Sequence, residues 1–320
     1  GDASRELSDI QRNWAPYDYQ FFRRSALIRE KLPYINLKER SFPVRIPAAP
    51  IGLYTLTEEH TMLASAATTS FLPAGMIRFT ENHEDPPSRA YLKLYEALTL
   101  MRLFFGCDLP GKGERCFDAG ASPGGWTWVL AGLGCNVFSV DRAELVPELM
   151  KNPRVDFLRH DAFTLKPEDV GACDWVFSDV ICYPERLYEW IGTWLSSGLC
   201  KNMICTVKMQ GGIDWQLIEK FASLPDSRLV HLNYNKHELT WLCCKNNFKS
   251  SNSANIDFKK IGRPSADMRR AICKKNVRFL KKLLIFVLQN IANFFQKHDI
   301  GRLCGRRFDF FFFFLKSFEY

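Results

Sequence analysis

No two of the eleven cysteines are spaced as CxxC, so neither a zinc knuckle nor a dithiol redox motif is written into these 320 residues. No apolar run approaches the roughly twenty residues that cross a bilayer, and no secretory leader is visible. The dinucleotide fingerprint GxGxxG is missing too: its second glycine position is filled by Ser122, followed by Pro123. Zinc, nicotinamide chemistry and a membrane span therefore drop out early. Cys116, Cys135, Cys173 and Cys205 fall in or beside apolar runs, where cysteine behaves as a small hydrophobe, and neighbours such as Cys243 and Cys244 do not easily bridge. Reduced cysteines in a cytoplasmic protein are expected.

Positive charge is also scarcer than the total of +8 suggests. Residues 245–320 carry 17 Lys and Arg against 5 Asp and Glu, which leaves 26 against 30 on the rest of the chain. A polyanion partner cannot be argued from net charge. It would need a local patch, for which Arg89, Lys93, Arg102, Arg186 and Lys208 are candidates, although Arg102 and Arg186 read better as ordinary solvated charges.

The segment from Cys116 to Trp126 reads as a buried strand, a glycine-rich turn and a helix running to about Leu133. Glycines let a backbone approach a ligand closely, and amides at a helix start favour a carboxylate or phosphate. A second strand, Asn136 to Asp141, ends in an acid placed to accept from a ribose. A third, Val155 to Leu158, leads to His160 and Asp161, whose carboxylate could accept from an adenine amino group. Ribose, adenine and a carboxylate-bearing tail together describe S-adenosylmethionine. A fourth strand, Cys173 to Asp179, ends in an acid, and a fifth, Asn202 to Lys208, ends in a lysine. The alternation of apolar strands with amphipathic segments from Leu92 to Trp241 predicts an α/β, Rossmann-like and mostly parallel sheet with helices on both faces. Ligands of such sheets bind beyond the carboxyl ends of the strands, so Asp179 and Lys208 should share a crevice with the glycine turn.

With these residues in view, the chain resembles the RrmJ/FtsJ-type ribose 2'-O-methyltransferases, and within them the branch that modifies a cytidine of large-subunit ribosomal RNA. The resemblance runs through Pro87 to Leu94, Asp118 to Trp126, Ser178-Asp179, Val207-Lys208 and His237-Glu238-Leu239, and covers roughly residues 86–244. It implies a catalytic tetrad of Lys93, Asp179, Lys208 and Glu238. It also implies a cofactor site for S-adenosyl-L-methionine built from Asp118, Gly120, Ser122, Pro123, Gly124, Gly125, Trp126, Asp141, Asp161 and Asp179. No metal is called for, and the partner is RNA.

A ribose hydroxyl is a weak acid and a sulfonium methyl is already electrophilic, so the enzyme must mainly align the two and remove a proton. Lys208 is the candidate base. Burial or a neighbouring ammonium such as Lys93 would lower its pKa, while Asp179 and Glu238 oppose that and orient the ammonium groups. A remaining ammonium would stabilise the developing oxyanion. Two rivals stand beside this reading. Cys182, three residues after Asp179, could be the nucleophile of an RNA 5-methylcytosine enzyme, although Ile181 stands where such enzymes carry proline. Alternatively the chain could be a silent RNA-binding scaffold, which would have no reason to keep four catalytic residues. The adenine-N6 motif of Asp or Asn, two prolines and an aromatic residue does not occur after the fourth strand.

The flanks read differently. Residues 1–85, up to the Asp85-Pro86-Pro87 break, form a small α+β region, expected to be the remnant of an RNA-binding auxiliary module. Ile51–Leu56 and Thr61–Ala66 could pair there as a hairpin. Gly1 in place of methionine reads as a processed, engineered or partial start. Residues 86–245 form the methyltransferase domain, and residues 246–320 read as a basic, Phe-rich extension, disordered or non-native, with an aggregation-prone run from Phe310 to Phe314. A monomer is favoured.

Overall fold

The computed structural model describes residues 2–245 apart from Pro50, Ala67, Thr69, Gly212 and Ile213, and the extension expected over residues 246–320 lies outside the described residues. Helix α1 (Asp2–Ile10), strand β1 (Trp14–Pro16) and helix α2 (Phe22–Arg29) come first, then β2 (Gly52–Glu58) and β3 (Thr61–Ser65). The hairpin expected near residues 51–66 is β2 paired antiparallel with β3, and β1 adds to β2 in parallel. Leu7, Trp14, Ile28, Leu32, Tyr54 and Leu56 close a small core over this three-stranded sheet.

The larger unit begins with α3 (Ala90–Phe105) and continues through β4 (Arg115–Ala119), α4 (Gly125–Gly132), β5 (Asn136–Asp141), α5 (Pro147–Met150), β6 (Val155–Arg159), α6 (Pro167–Val170), β7 (Cys173–Ser178), α7 (Pro184–Ser197), β8 (Cys200–Lys208), α8 (Trp215–Ala222), β9 (Ser227–Val230) and β10 (Glu238–Cys244). Its seven strands lie in the order β6-β5-β4-β7-β8-β10-β9. The strands read from apolar periodicity fall where they were expected, to within two residues at their starts. Successive side chains of a central strand serve opposite faces. Cys116, Trp175, Phe177 and Ile204 join the core under α3 and α4, whereas Phe117, Val176, Met203 and Cys205 join the core under α7 and α8. All nine cysteines of the described residues are buried. Val44, Leu72, Ile77 and Phe79 also enter the first of these cores, and Phe42 stacks on Tyr95 of α3 with ring centroids 4.1 Å apart.

The first five strands of this sheet run parallel, and β10 runs antiparallel to both β8 and β9. The connection 231–237 is too short for a crossover, so β9 and β10 can only form a hairpin-like pair. Because β10 is reversed, its first residue, Glu238, stands opposite Lys208, the last residue of β8. Among the described residues no helix is long and apolar enough to cross a membrane.

The glycine turn has a tighter reason for its composition than room for a ligand. Gly120 (φ +81°) and Gly124 (φ +118°) occupy left-handed backbone, and a Cβ would collide with the Val180 side chain at Gly120 and with Leu149 at Gly124. Both glycines admit neighbouring parts of the chain. Gly120→Ala should therefore cost about 1–3 kcal/mol in urea denaturation. Gly192→Ala, inside α7 with nothing within 4 Å of the added carbon, should instead gain about 0.5–1 kcal/mol.

Candidate active site

Four elements deliver one ion cluster. Lys93 lies in the first turn of α3, Asp179 directly follows β7, Lys208 ends β8 and Glu238 begins β10. The Lys93 ammonium donates to both carboxylate oxygens of Asp179, at 2.9 and 2.8 Å, and to Glu238 Oε1 at 3.0 Å. Lys208 Nζ lies 3.0 Å from Asp179 Oδ1 and donates to the Asp179 backbone carbonyl. All four side chains are largely enclosed, with 11–18 % of their surface exposed. Burial pushes the Lys93 pKa down, but the Asp179 and Glu238 carboxylates outweigh it, and the net shift is upward. Lys93 is thus held as a cation.

Beside this cluster opens a cavity of about 480 Å³. Asp118, Gly120, Ser122, Pro123, Gly125, Trp126, Asp141, Asp161, Asp179 and Lys208 all line it, and so do Arg142, His160, Ile181 and Arg186. Gly124 is absent from its wall and packs toward Leu149. The turn is locked to β5: the Gly120 amide donates to the Val140 carbonyl at 2.8 Å, and the Ser122 amide to Asp141 Oδ2 at 3.0 Å. The Trp126 indole N–H donates to the Ala90 carbonyl at 2.9 Å, which ties α4 to the start of the helix that carries Lys93.

This arrangement was compared with known proteins. The FtsJ-like methyltransferase family model matches residues 86–211. A ribosomal RNA large subunit methyltransferase M of Xanthomonas oryzae pv. oryzae is 30% identical over 256 residues, 76% of this chain and 69% of that protein. The chain belongs to the FtsJ-like methyltransferase family. A protein of the same name from Xylella fastidiosa is 34% identical over 198 residues, 58% of this chain and 55% of its own. Among solved structures, a putative ribosomal RNA methyltransferase from Plasmodium falciparum overlaps 49% of this chain and 97% of its own, at 16% identity and a TM-score of 0.36.

The cofactor of this FtsJ-like enzyme is S-adenosyl-L-methionine, and the cavity's donor set fits it. Four carboxylates face a ligand that carries a sulfonium and an ammonium. Asp118 is the most enclosed of them. Burial pushes its carboxyl up to about 7, with Asp179 and Asp141 adding to the rise and a 2.7 Å hydrogen bond from Thr127 opposing it. A cation beside such a group recovers much of what its burial costs. Asp161 is different: burial pushes it up, but the Phe163 amide, Arg142 and Arg186 together hold it below the usual carboxylate range. Among the described residues no cluster of His, Cys, Asp and Glu could hold a metal ion.

The five cations offered as an RNA patch each have a partner within the protein. Arg89 pairs with Glu81, Lys93 and Lys208 with Asp179, Arg102 with the Val44 carbonyl and Arg186 with Asp161. Their partners come from distant parts of the chain, which a linear scan of charges does not reveal. Cys182 is no activated thiolate: burial is the main cause that pushes its thiol up to about 11, against a weaker pull from Arg186 and Lys208. Arg142, Ile181 and Arg186 were not foreseen as cavity residues. Arg142 and Ile181 closely follow strand ends already singled out, so the residues just after each strand-end acid were the available signal.

The Asp118 shift has a sign that can be checked. Unfolded, the group loses its proton near 3.8, and folded it keeps it until about 7. Between those values the folded state binds more protons, so stability falls as pH rises through the window. Glu96, raised by burial from 4.5 to about 7, acts in the same direction. Asp118→Asn should remove a slope contribution of a few kcal/mol, at about 1.4 kcal/mol per pKa unit, in denaturation curves taken from pH 4 to 8.

Proposed function

We propose that this methyltransferase modifies a ribose 2'-hydroxyl of RNA, with large-subunit ribosomal RNA as its substrate. The observation that carries the proposal is the Lys93–Asp179–Lys208–Glu238 ion cluster, of which Asp179 and Lys208 line the cavity. The bound cofactor supplies an electrophilic methyl group. Asp118, Asp141 and Asp161 would hold it, with Asp141 toward the ribose and Asp161 toward the adenine. Lys208, which lines the cavity, takes the proton from the attacking hydroxyl as the neutral amine, after its own proton has gone to solvent. Lys93 is kept cationic by its two carboxylates and stabilises the oxygen as negative charge develops there. Asp179 touches both lysines and sets their spacing, while Glu238 holds Lys93 from the far side. We place this activity in the cytoplasm and on a monomer. The domain division at residues 85/86 belongs to the same reading.

RNA affinity fits a second concavity better than the cations near the cluster. A groove of about 960 Å³ is lined by exposed Arg29, Lys38 and Arg78, by half-buried Arg40, and by the exposed rings of Tyr17, Phe22 and Tyr34. Cations that neutralise phosphates, interleaved with rings on which bases stack, suit single-stranded RNA.

The direct assay uses the purified protein, methyl-labelled S-adenosylmethionine and unmodified large-subunit ribosomal RNA. Label should appear on ribose and make the adjacent phosphodiester resistant to alkali. Lys208→Ala should lower the rate by at least about a hundredfold. Label on a base, or a rate unchanged in Lys208→Ala, would overturn the mechanism. The double variant Lys38→Glu, Arg78→Glu should weaken RNA binding and flatten the dependence of log Kd on log salt by about 0.7 for each phosphate that is no longer neutralised. Cofactor affinity should not change.

A further inference from the structure

Three residues after Lys93, on the same helix, lies a carboxylate that the tetrad does not use. Glu96 is 3 % exposed, yet among the described residues no cation is paired with it. Its two oxygens accept from successive backbone amides, Oε1 from Asn233 at 2.9 Å and Oε2 from Tyr234 at 3.1 Å. Those amides belong to the connection 231–237, which ends where Glu238 begins. The same connection is held at two other points. The Tyr234 hydroxyl accepts from the Phe79 amide at 2.8 Å, and the Asn235 side chain pairs with Thr240 at 3.1 Å.

From this placement we infer that Glu96 is a positioning residue for the methyl-transfer reaction: it clamps the β9–β10 connection to α3 so that Glu238 meets Lys93. The inference rests on the function proposed above. One helix thus fixes both partners of the 3.0 Å Lys93–Glu238 contact, the lysine directly and the carboxylate through the loop that leads to it.

The residue type fits this role. The two N–H donors each meet a separate oxygen, an arrangement that a carboxylate matches directly. A glutamine would turn its amide nitrogen toward one of the donors. Burying a carboxylate without a cation is unfavourable, and a loop needing only to be covered could be packed with apolar side chains at a lower free-energy cost. The clamp is directional instead, and it acts one helical turn from the ammonium that Glu238 must reach.

The test is a double-mutant cycle on the full chain, with Glu96→Gln, Glu238→Gln and both together. Each is assayed on unmodified large-subunit ribosomal RNA, with thermal unfolding and direct S-adenosylmethionine binding measured alongside. Glu96→Gln should lower kcat by about a hundredfold through misplacement of Glu238, with cofactor affinity unchanged to within about twofold. In the Glu238→Gln background the same change should add less than about twofold, because the group it positions is already disabled. Amide hydrogen exchange at Asn233 and Tyr234 should accelerate in Glu96→Gln, a readout independent of turnover. An unchanged kcat in the single variant, or a full multiplicative loss in the double, would overturn the inference. If Glu96→Gln does not fold, the cycle is run with Glu96→Asp, and failure of both to fold reduces Glu96 to a core residue and ends the proposal. A wild-type protein that methylates no ribose defeats the proposed function itself; the exchange result then still decides whether the clamp exists.

Discussion

An ammonium group enclosed as far as Lys93 is tolerable only when carboxylates surround it, because an isolated charge in such a place costs several kcal/mol even after relaxation. That requirement reaches far through the structure. The carboxylates are 86 and 145 residues away in sequence, so α3, the end of β7 and the start of β10 must converge for the cation to be satisfied. Lys208 adds a second positive charge from the end of β8, and the cluster balances at two cations and two anions. The central order β4-β7-β8-β10 is the arrangement that brings three of the four groups to one edge of the sheet. Had β10 run parallel to β8, Glu238 would lie at the opposite end of the strand pair, the length of β10 away from Lys93.

The cofactor cavity obeys a related rule with the signs exchanged. Asp118 lies deep and accepts from Thr127, with no cation among the described residues paired with it, whereas Asp161 is held by two arginines near the surface. The charge missing at the deep end is positive. A sulfonium or ammonium brings what the fold leaves out there, and an anion would meet repulsion. The glycine turn takes part by geometry more than by direct contact, since Gly120 and Gly124 let Val180 and Leu149 close in behind it.

Much of this was readable in one dimension, for physical reasons that differ by element. β4, β5, β6, β7 and β8 are apolar runs of strand length ended by turn residues or acids, and that signal is local. Asp141, Asp179 and Lys208 follow from it because strand ends point at the crevice. Glu238 did not follow from it. Its placement depends on β10 running backwards, which is fixed by the short 231–237 connection, and only the family resemblance picked the residue out. The partners of the basic patch were hidden for the opposite reason. Arg89, Arg102 and Arg186 look alike in sequence, but what each does depends on Glu81, the Val44 carbonyl and Asp161, and nothing in the linear sequence announces those pairings. Glu96 was hidden for the same reason, as one acid within an apolar helix whose partners are backbone amides 137 and 138 residues away.

The two lysines of the cluster are not bound alike. Lys93 gives its hydrogens to two carboxylates, and deprotonating it would leave Asp179 and Glu238 facing each other without a cation between them. Lys208 is attached to one carboxylate oxygen and one neutral carbonyl, and its removal from charge would leave Asp179 still paired with Lys93. Lys208 also lines the cavity, whereas Lys93 does not. The two carboxylates that enclose Lys93 make it a fixed positive charge, set beside a second lysine that faces open space.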